Sequence, residues 1–279
     1  MSEAFLLNEF KEASFCPYFY KIINKKKIKD ESQIAELLDL DLELAKRVFK
    51  GMKFFELIEA KYEIYSTHPI YQHKDLSEEL NFKLYMLSIL REKTGNHPDW
   101  KKNAANLLII EYLIKNNIIF VDNQDLNLID KLNNFFFQEN QYKPLNSRTK
   151  EIIKMNTNKM DYWCEIFQFL GFLRRFSSRQ YLLYIDLTLF FALIEICPYK
   201  KKFKYIGIKE LLSWIDENFF LLPLEGNKVP EIIARIFYSL CRQDKIKIIN
   251  YGDLTLVDLQ NKPKYLNIPP NANAIEIKY

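Results

Sequence analysis

The residues best placed to do chemistry in this chain are cations. Lys46, Arg47, Lys50 and Lys53 lie in LELAKRVFKGMKFF, and Lys46, Lys50 and Lys53 recur at i, i+4 and i+7. On a helix this spacing makes one stripe, opposite the apolar stripe of Leu44, Val48, Met52 and Phe55. Lysine suits phosphate oxygens, whereas arginine or asparagine makes the bidentate contacts that read base edges. The stripe therefore points to the phosphates of double-stranded DNA. A structural reading competes with it. Glu43 stands three and four residues before Lys46 and Arg47, where helical ion pairs form, and any solvated helix face carries lysines.

Three further basic clusters have the same two readings. Lys25, Lys26 and Lys27 open KKKIK, and Lys200, Lys201 and Lys202 sit in YKKKFK. Arg174, Arg175 and Arg179 flank a Phe-rich segment. Each can track a phosphate backbone, and each can equally be a solvated loop that keeps apolar neighbours soluble. The net charge of +4 is compatible with nucleic-acid binding without demanding it.

Other chemistry finds little support. His68 and His73 are five apart with no cysteine nearby, and His97 is isolated, so no metal site is expected. Cys16, Cys164, Cys197 and Cys241 are far apart among apolar residues, which suits buried free thiols in a reducing compartment. With six glycines, the chain has no Walker pattern and no G-x-G-x-x-G. Carboxylates and lysines that might serve a metal-dependent nuclease lie at opposite ends of the chain. No catalytic residue, no metal and no cofactor is expected.

The elements that must hold the cations are mainly helical. Few glycines argue against sandwiches and barrels, which need frequent turns. An apolar share of 48% is enough for real cores in 279 residues. In the N-terminal region SFCPYFYKIINK has helical spacing, and Asp30 with Gln33 forms a capping box for the helix carrying Ile34, Leu37 and Leu38. Asp39 and Asp41 bracket a turn, and the lysine-bearing helix follows. FELIEA and KYEIYS then read as two short strands. Helix, helix, turn, helix, hairpin over about residues 14 to 67 resembles the winged helix-turn-helix superfamily. The features that carry the likeness are IAELL, Leu40 in the turn, AKRVFKGMKFF and LIEAKYEIYS. The resemblance implies that the third helix can lie in the major groove, with Lys46, Lys50 and Lys53 toward DNA. It also implies that arginines at a wing can reach phosphates or the minor groove.

A similar order recurs twice. MDYWCEIFQFLGFLRR followed by FSSRQYLLYIDL is one instance. The other is IGIKELLSWIDENF, a helix opened by Pro230, and KIKIINYGDLTLVDL as a hairpin turning at Asn250 to Asp253. The expected fold is mainly α with small β-hairpin wings, an α+β chain of tandem winged-helix units joined by a helical middle. The divisions are 1–70 for the first unit, 71–144 for a helical connector or part of the second unit, with Asp75 and Asp99 as N-caps, 145–198 for a second unit and 199–262 for a third. Residues 263–279 form an extended tail, whose AIEIKY can add a strand.

Two functions stay open. One is a non-catalytic DNA-binding protein, or a DNA-reading subunit of a larger prokaryotic machine. The other is an interaction scaffold resembling the tandem winged-helix accessory subunits of chromosome-organising or defence ATPases. The aromatic surplus around Phe135, Phe136 and Phe137 suits protein partners, whether other subunits or a second copy in a homo-oligomer. The N-terminus lacks the basic and apolar regions of a signal peptide, and the apolar run 181–197 is interrupted by Asp186 and Glu195. A cytoplasmic protein without membrane contact is expected.

Overall fold

The computed structural model describes residues 6–61, 64–70, 73–94, 101–146, 149–200, 205–252 and 254–278. Within them one order of elements occurs three times: helix, extended segment, helix, helix, two strands. The first set follows a short helix α1 (Leu6–Glu9) and a 3-10 turn at Ala13–Phe15. It comprises α2 (Cys16–Lys25), α3 (Glu31–Leu38), α4 (Leu42–Phe54) and the antiparallel pair β1 (Ile58–Lys61) and β2 (Ile64–Thr67). Ile28 makes a single antiparallel bridge to Tyr65 of β2.

Local chemistry fixes these boundaries. The Asp30 carboxylate accepts the Gln33 N–H at 3.1 Å, and Gln33 Oε1 accepts the Lys29 N–H at 2.9 Å. Asp39 ends α3 in the left-handed region (φ 50), and Asp41 caps α4 by accepting the Leu44 N–H at 3.0 Å. The apolar face of α4 buries Ala45, Val48, Phe49 and Met52. Gly51 has a packing reason: a methyl group there would overlap the ring of the buried Phe10.

Helix α5 (Glu78–Glu92) then leads into the second set. Its cap is Ser77, whose Oγ accepts the Leu80 N–H, rather than Asp75, because Ser77 is the residue adjoining the first turn. Asp99 lies outside the described residues. The second set comprises α6 (Ala105–Lys115), β3 (Phe120–Asp122), α7 (Leu126–Gln138), α8 (Thr157–Phe169), β4 (Leu173–Arg175) and β5 (Gln180–Leu183). Three of its elements, α6, β3 and α7, fall inside the stretch expected as a connector. Their helices show in the sequence as the apolar segments NLLIIEYLIKNN and LNLIDKLNNFFFQ, and what joins them to the second set is β3, which pairs with the distant β5.

The third set runs α9 (Leu187–Ile196), β6 (Tyr205–Gly207), α10 (Ile208–Asn218), β7 (Lys228–Val229), α11 (Glu231–Arg242), β8 (Ile246–Ile249), β9 (Asp258–Leu259) and β10 (Ala274–Ile277). Here the expected hairpin is corrected. The partner of β8 is β10, and the intervening residues run outward, where β9 pairs in parallel with β7. A central strand needs apolar residues that bury on both faces: Ala274 and Ile275, neighbours in sequence, both do so, whereas LTLVDL buries Val257 and Leu259 and leaves Leu256 half exposed. The tail residues AIEI thus form the middle of a sheet. Asn273 fixes the return, accepting the Tyr251 N–H at 2.8 Å and donating to Leu254 O at 3.0 Å.

The three sets share strand order as well as element order. The last strand of each is central: β2 lies between Ile28 and β1, β5 between β3 and β4, and β10 between β6 and β8. The passage from last helix to next strand also repeats. Glu56, Gly171 and Asp244 all have positive φ. The following N–H groups, of Leu57, Phe172 and Lys245, donate to Met52, Phe167 and Leu240 at 2.8, 2.8 and 3.0 Å. These marks align α4, α8 and α11 residue by residue.

The sets pack into one apolar core. Helix α1 contacts both α4 and α8, and α5 contacts α6, α9 and α10. The architecture is a mixed α+β one, with small and mostly antiparallel sheets. Among the described residues no helix is long and apolar enough to cross a membrane.

Candidate nucleic-acid interface

The capped start of α4 and its buried apolar face leave Lys46, Lys50 and Lys53 exposed on the opposite side. Lys46 Nζ is 2.7 Å from Glu43 Oε1, a contact that raises the lysine pKa and keeps it cationic. Lys53 Nζ bonds the Tyr65 hydroxyl at 2.8 Å and lies 3.6 Å from Glu31 Oε1. Arg47 departs from the group. Its guanidinium is 2.7 Å from Glu12 Oε1, a largely buried carboxylate, so it ties α4 to the segment preceding α2.

Tyr65 joins two of the expected clusters. Its backbone bridges Ile28, and its hydroxyl bonds both Lys53 and Glu31. The exposed loop carrying Lys25, Lys26 and Lys27, with Lys29 beyond, therefore connects to the end of α4. The sequence shows both clusters but not the tyrosine that links them.

The hairpin arginines divide. Arg175 is tied down: it contacts Glu165 Oε1 at 3.1 Å, Ser177 O at 3.2 Å and Ser178 O at 3.1 Å. Arg174 and Arg179 are exposed. Lys200 is half-buried, with Nζ 3.4 Å from Glu195 O, and Lys201 and Lys202 lie outside the described residues.

Alignment of the three sets separates the helix faces sharply. The positions of Lys46, Lys50 and Lys53 in α4 are taken in α8 by Asp161, Glu165 and Gln168, and in α11 by Ala234, Tyr238 and Cys241. Asp161 accepts from Asn123 Nδ2 at 2.9 Å and lies 3.9 Å from Lys11 Nζ. Glu165 holds Arg175 and accepts the Tyr181 hydroxyl at 3.2 Å. In α11, Ala234 and Tyr238 are buried, and the Tyr238 hydroxyl bonds Gln260 O at 2.6 Å, in the outward run between β8 and β10. Of the three equivalent faces, α4 alone is both open and lysine-bearing.

The thiols are poor reagents. Cys16, Cys164, Cys197 and Cys241 are unbridged, and burial pushes all four upward in pKa, so they stay protonated at neutral pH. His68 Nε2 sits 3.8 Å from Glu59 Oε2. Among the described residues no three His, Cys, Asp or Glu side chains gather as a metal site.

The chain matches no family model, no curated protein and no solved structure.

Proposed function

We propose that this chain is a non-catalytic DNA-binding protein, or the DNA-reading subunit of a larger prokaryotic complex. It takes duplex phosphates on the α4 face and the adjoining Lys25–Lys29 loop. Each of the three sets is read as a winged-helix unit. The recurring helix, bridge, helix, helix and two-strand order, with the last strand central, supports that reading. The observation that carries the function is the contrast among equivalent helices: α4 presents Lys46, Lys50 and Lys53, while Asp161 and Glu165 of α8 and Ala234 and Tyr238 of α11 are engaged within the chain.

Phosphates approaching this face compete with Glu43 and Glu31 for the lysines, and counterion release from the duplex drives the exchange. The test is binding of the purified chain to a labelled random duplex across a salt series. Affinity falls steeply as salt rises, and replacing all three lysines by alanine lowers the log–log slope by about three. A wild-type chain that ignores duplex at low salt refutes the proposal.

A second reading has its own observation. Two of three helix faces are consumed in packing, while Tyr18 and Phe137 stand exposed elsewhere. That pattern favours a scaffold subunit holding partner chains, accessory to an ATPase of a chromosome-organising or defence complex. Sedimentation of the chain alone separates the two, since a scaffold self-associates or needs its partner.

A further inference from the structure

The middle sheet has an unusual outer face. Register places Phe120, Leu182 and Arg174 in one row across β3, β5 and β4, and Asp122 and Gln180 in the next. The opposite face holds Val121, Tyr181, Leu173 and Leu183, all buried against the helices. Phe176 follows Arg174 by two residues at the hairpin end, where its N–H donates to Gln180 O at 2.8 Å. Phe120 and Phe176 are each 72% exposed, levels that no packing role explains. Tyr184 extends the row beyond β5, 46% exposed, and lines a cavity of about 200 Å³ shared with Ile232, Arg235 and Ile236 of α11. The corresponding face of the third sheet is closed differently: Glu276 lies between Tyr205 and Lys247, and the Tyr205 ring lies tilted against that of Tyr251.

We propose that this outer face of β3, β5 and β4 binds single-stranded nucleic acid, with Phe120 and Phe176 stacking on bases and Arg174 taking a phosphate between them. Strand spacing and rise put the two rings' Cα atoms roughly 12 Å apart, a span of a few extended nucleotides. Apolar and polar groups share the face. The row Phe120–Leu182–Arg174 ends in a cation, and Arg174 and Gln180 stand beside Phe176, which suits a ligand that pairs flat bases with anionic phosphates. Asp122 lies one row from Arg174 on the same face, its Oδ1 accepting the Gln124 N–H at 2.9 Å. The site is independent of α4 and uses none of its lysines.

The test is fluorescence anisotropy of the full chain with a labelled oligothymidylate long enough to cross the sheet. Phe120→Ala and Phe176→Ala each weaken binding about tenfold, and Arg174→Ala lowers the salt slope by about one. Lys46→Ala/Lys50→Ala/Lys53→Ala, in contrast, changes duplex binding and leaves the oligothymidylate affinity alone, so the two sites fail separately. Both positions are exposed, so alanine there leaves the fold intact, as circular dichroism verifies. Three outcomes overturn the proposal. The wild-type chain ignores the oligothymidylate at low salt; both phenylalanine variants bind it as wild type does; or sedimentation shows a self-association that either variant abolishes, with no nucleic-acid binding.

Discussion

Helices α4 and α8 occupy the same place in the same order of elements, end on the same kind of positive-φ residue, and bury the same pattern of positions. Their outer faces are opposite in sign. Where α4 carries Lys46, Lys50 and Lys53, α8 carries Asp161, Glu165 and Gln168. The acidic set holds its own neighbours through Asn123, Lys11, Arg175 and Tyr181, so its charges are satisfied within the chain. The lysines stay exposed, with Glu43 beside Lys46 and Tyr65 and Glu31 beside Lys53. A shared backbone thus serves two ends: one copy leaves its lysines open to solvent, and another has become an internal joint.

The sharpest way to break this comparison is to give α4 the residues of α8. Lys46→Asp, Lys50→Glu and Lys53→Gln together cost duplex affinity on the order of a hundredfold at low salt, about 3 kcal/mol, in an anisotropy titration. Next comes the position where α8 holds Ile166 and α4 holds Gly51. Alanine normally favours a helix, yet Gly51→Ala lowers stability by about 1–3 kcal/mol in urea unfolding, because its methyl meets Phe10. If Gly51→Ala stabilises instead, Phe10 does not sit against α4 as described.

Smaller effects sharpen the contrast. Glu165→Ala costs about 1–2 kcal/mol, since it strips a partner from both Arg175 and Tyr181, while Lys50→Ala at the matching position stays within about 0.5 kcal/mol. Equal losses at the two sites would erase the distinction between joint and open face. The smallest effect concerns the seam between sets. Burial, then the charges of Glu139 and Asp216, raises the Glu111 carboxyl to about 7 from its ordinary 4.5, while Lys115 and Arg91 pull the other way. A raised acid favours folding while protonated. Its contribution is therefore full below about pH 4.5, declines as pH rises and is gone above about 7. Glu111→Gln flattens that decline in a melting-temperature series from pH 5 to 8.

What could be read from sequence was local. The Asp30 and Asp41 caps, the apolar stripe of α4 and the opposing lysines all follow from residues a few positions apart. Features that depend on distant partners could not be read. Arg47 pairs with Glu12, 35 residues away, and so leaves the lysine group it adjoins in sequence. Helices α6 and α7 are legible as apolar helical segments, but that they open the second set depends on β3 pairing with β5, some sixty residues further on. Residues 246–259 alternate well enough to suggest a hairpin, but the partner of β8 is the more apolar stretch at Ala274–Ile277. The exposure of Phe120 and Phe176 depends on which face of a three-residue strand meets the helices, and strands that short carry too few alternations to tell.

The position of the last strand in each set has a consequence for synthesis. A ribosome releases β3 and β4 before β5, and β6 and β8 before β10, so neither sheet has its middle strand until the last of its three strands has emerged. In the second set β5 follows β4 closely and can pair with it as a hairpin, as β2 can with β1 in the first. In the third set β10 stands far along the chain from both of its neighbours. The third waits longest, because its gap stays open through the whole outward run between β8 and β10.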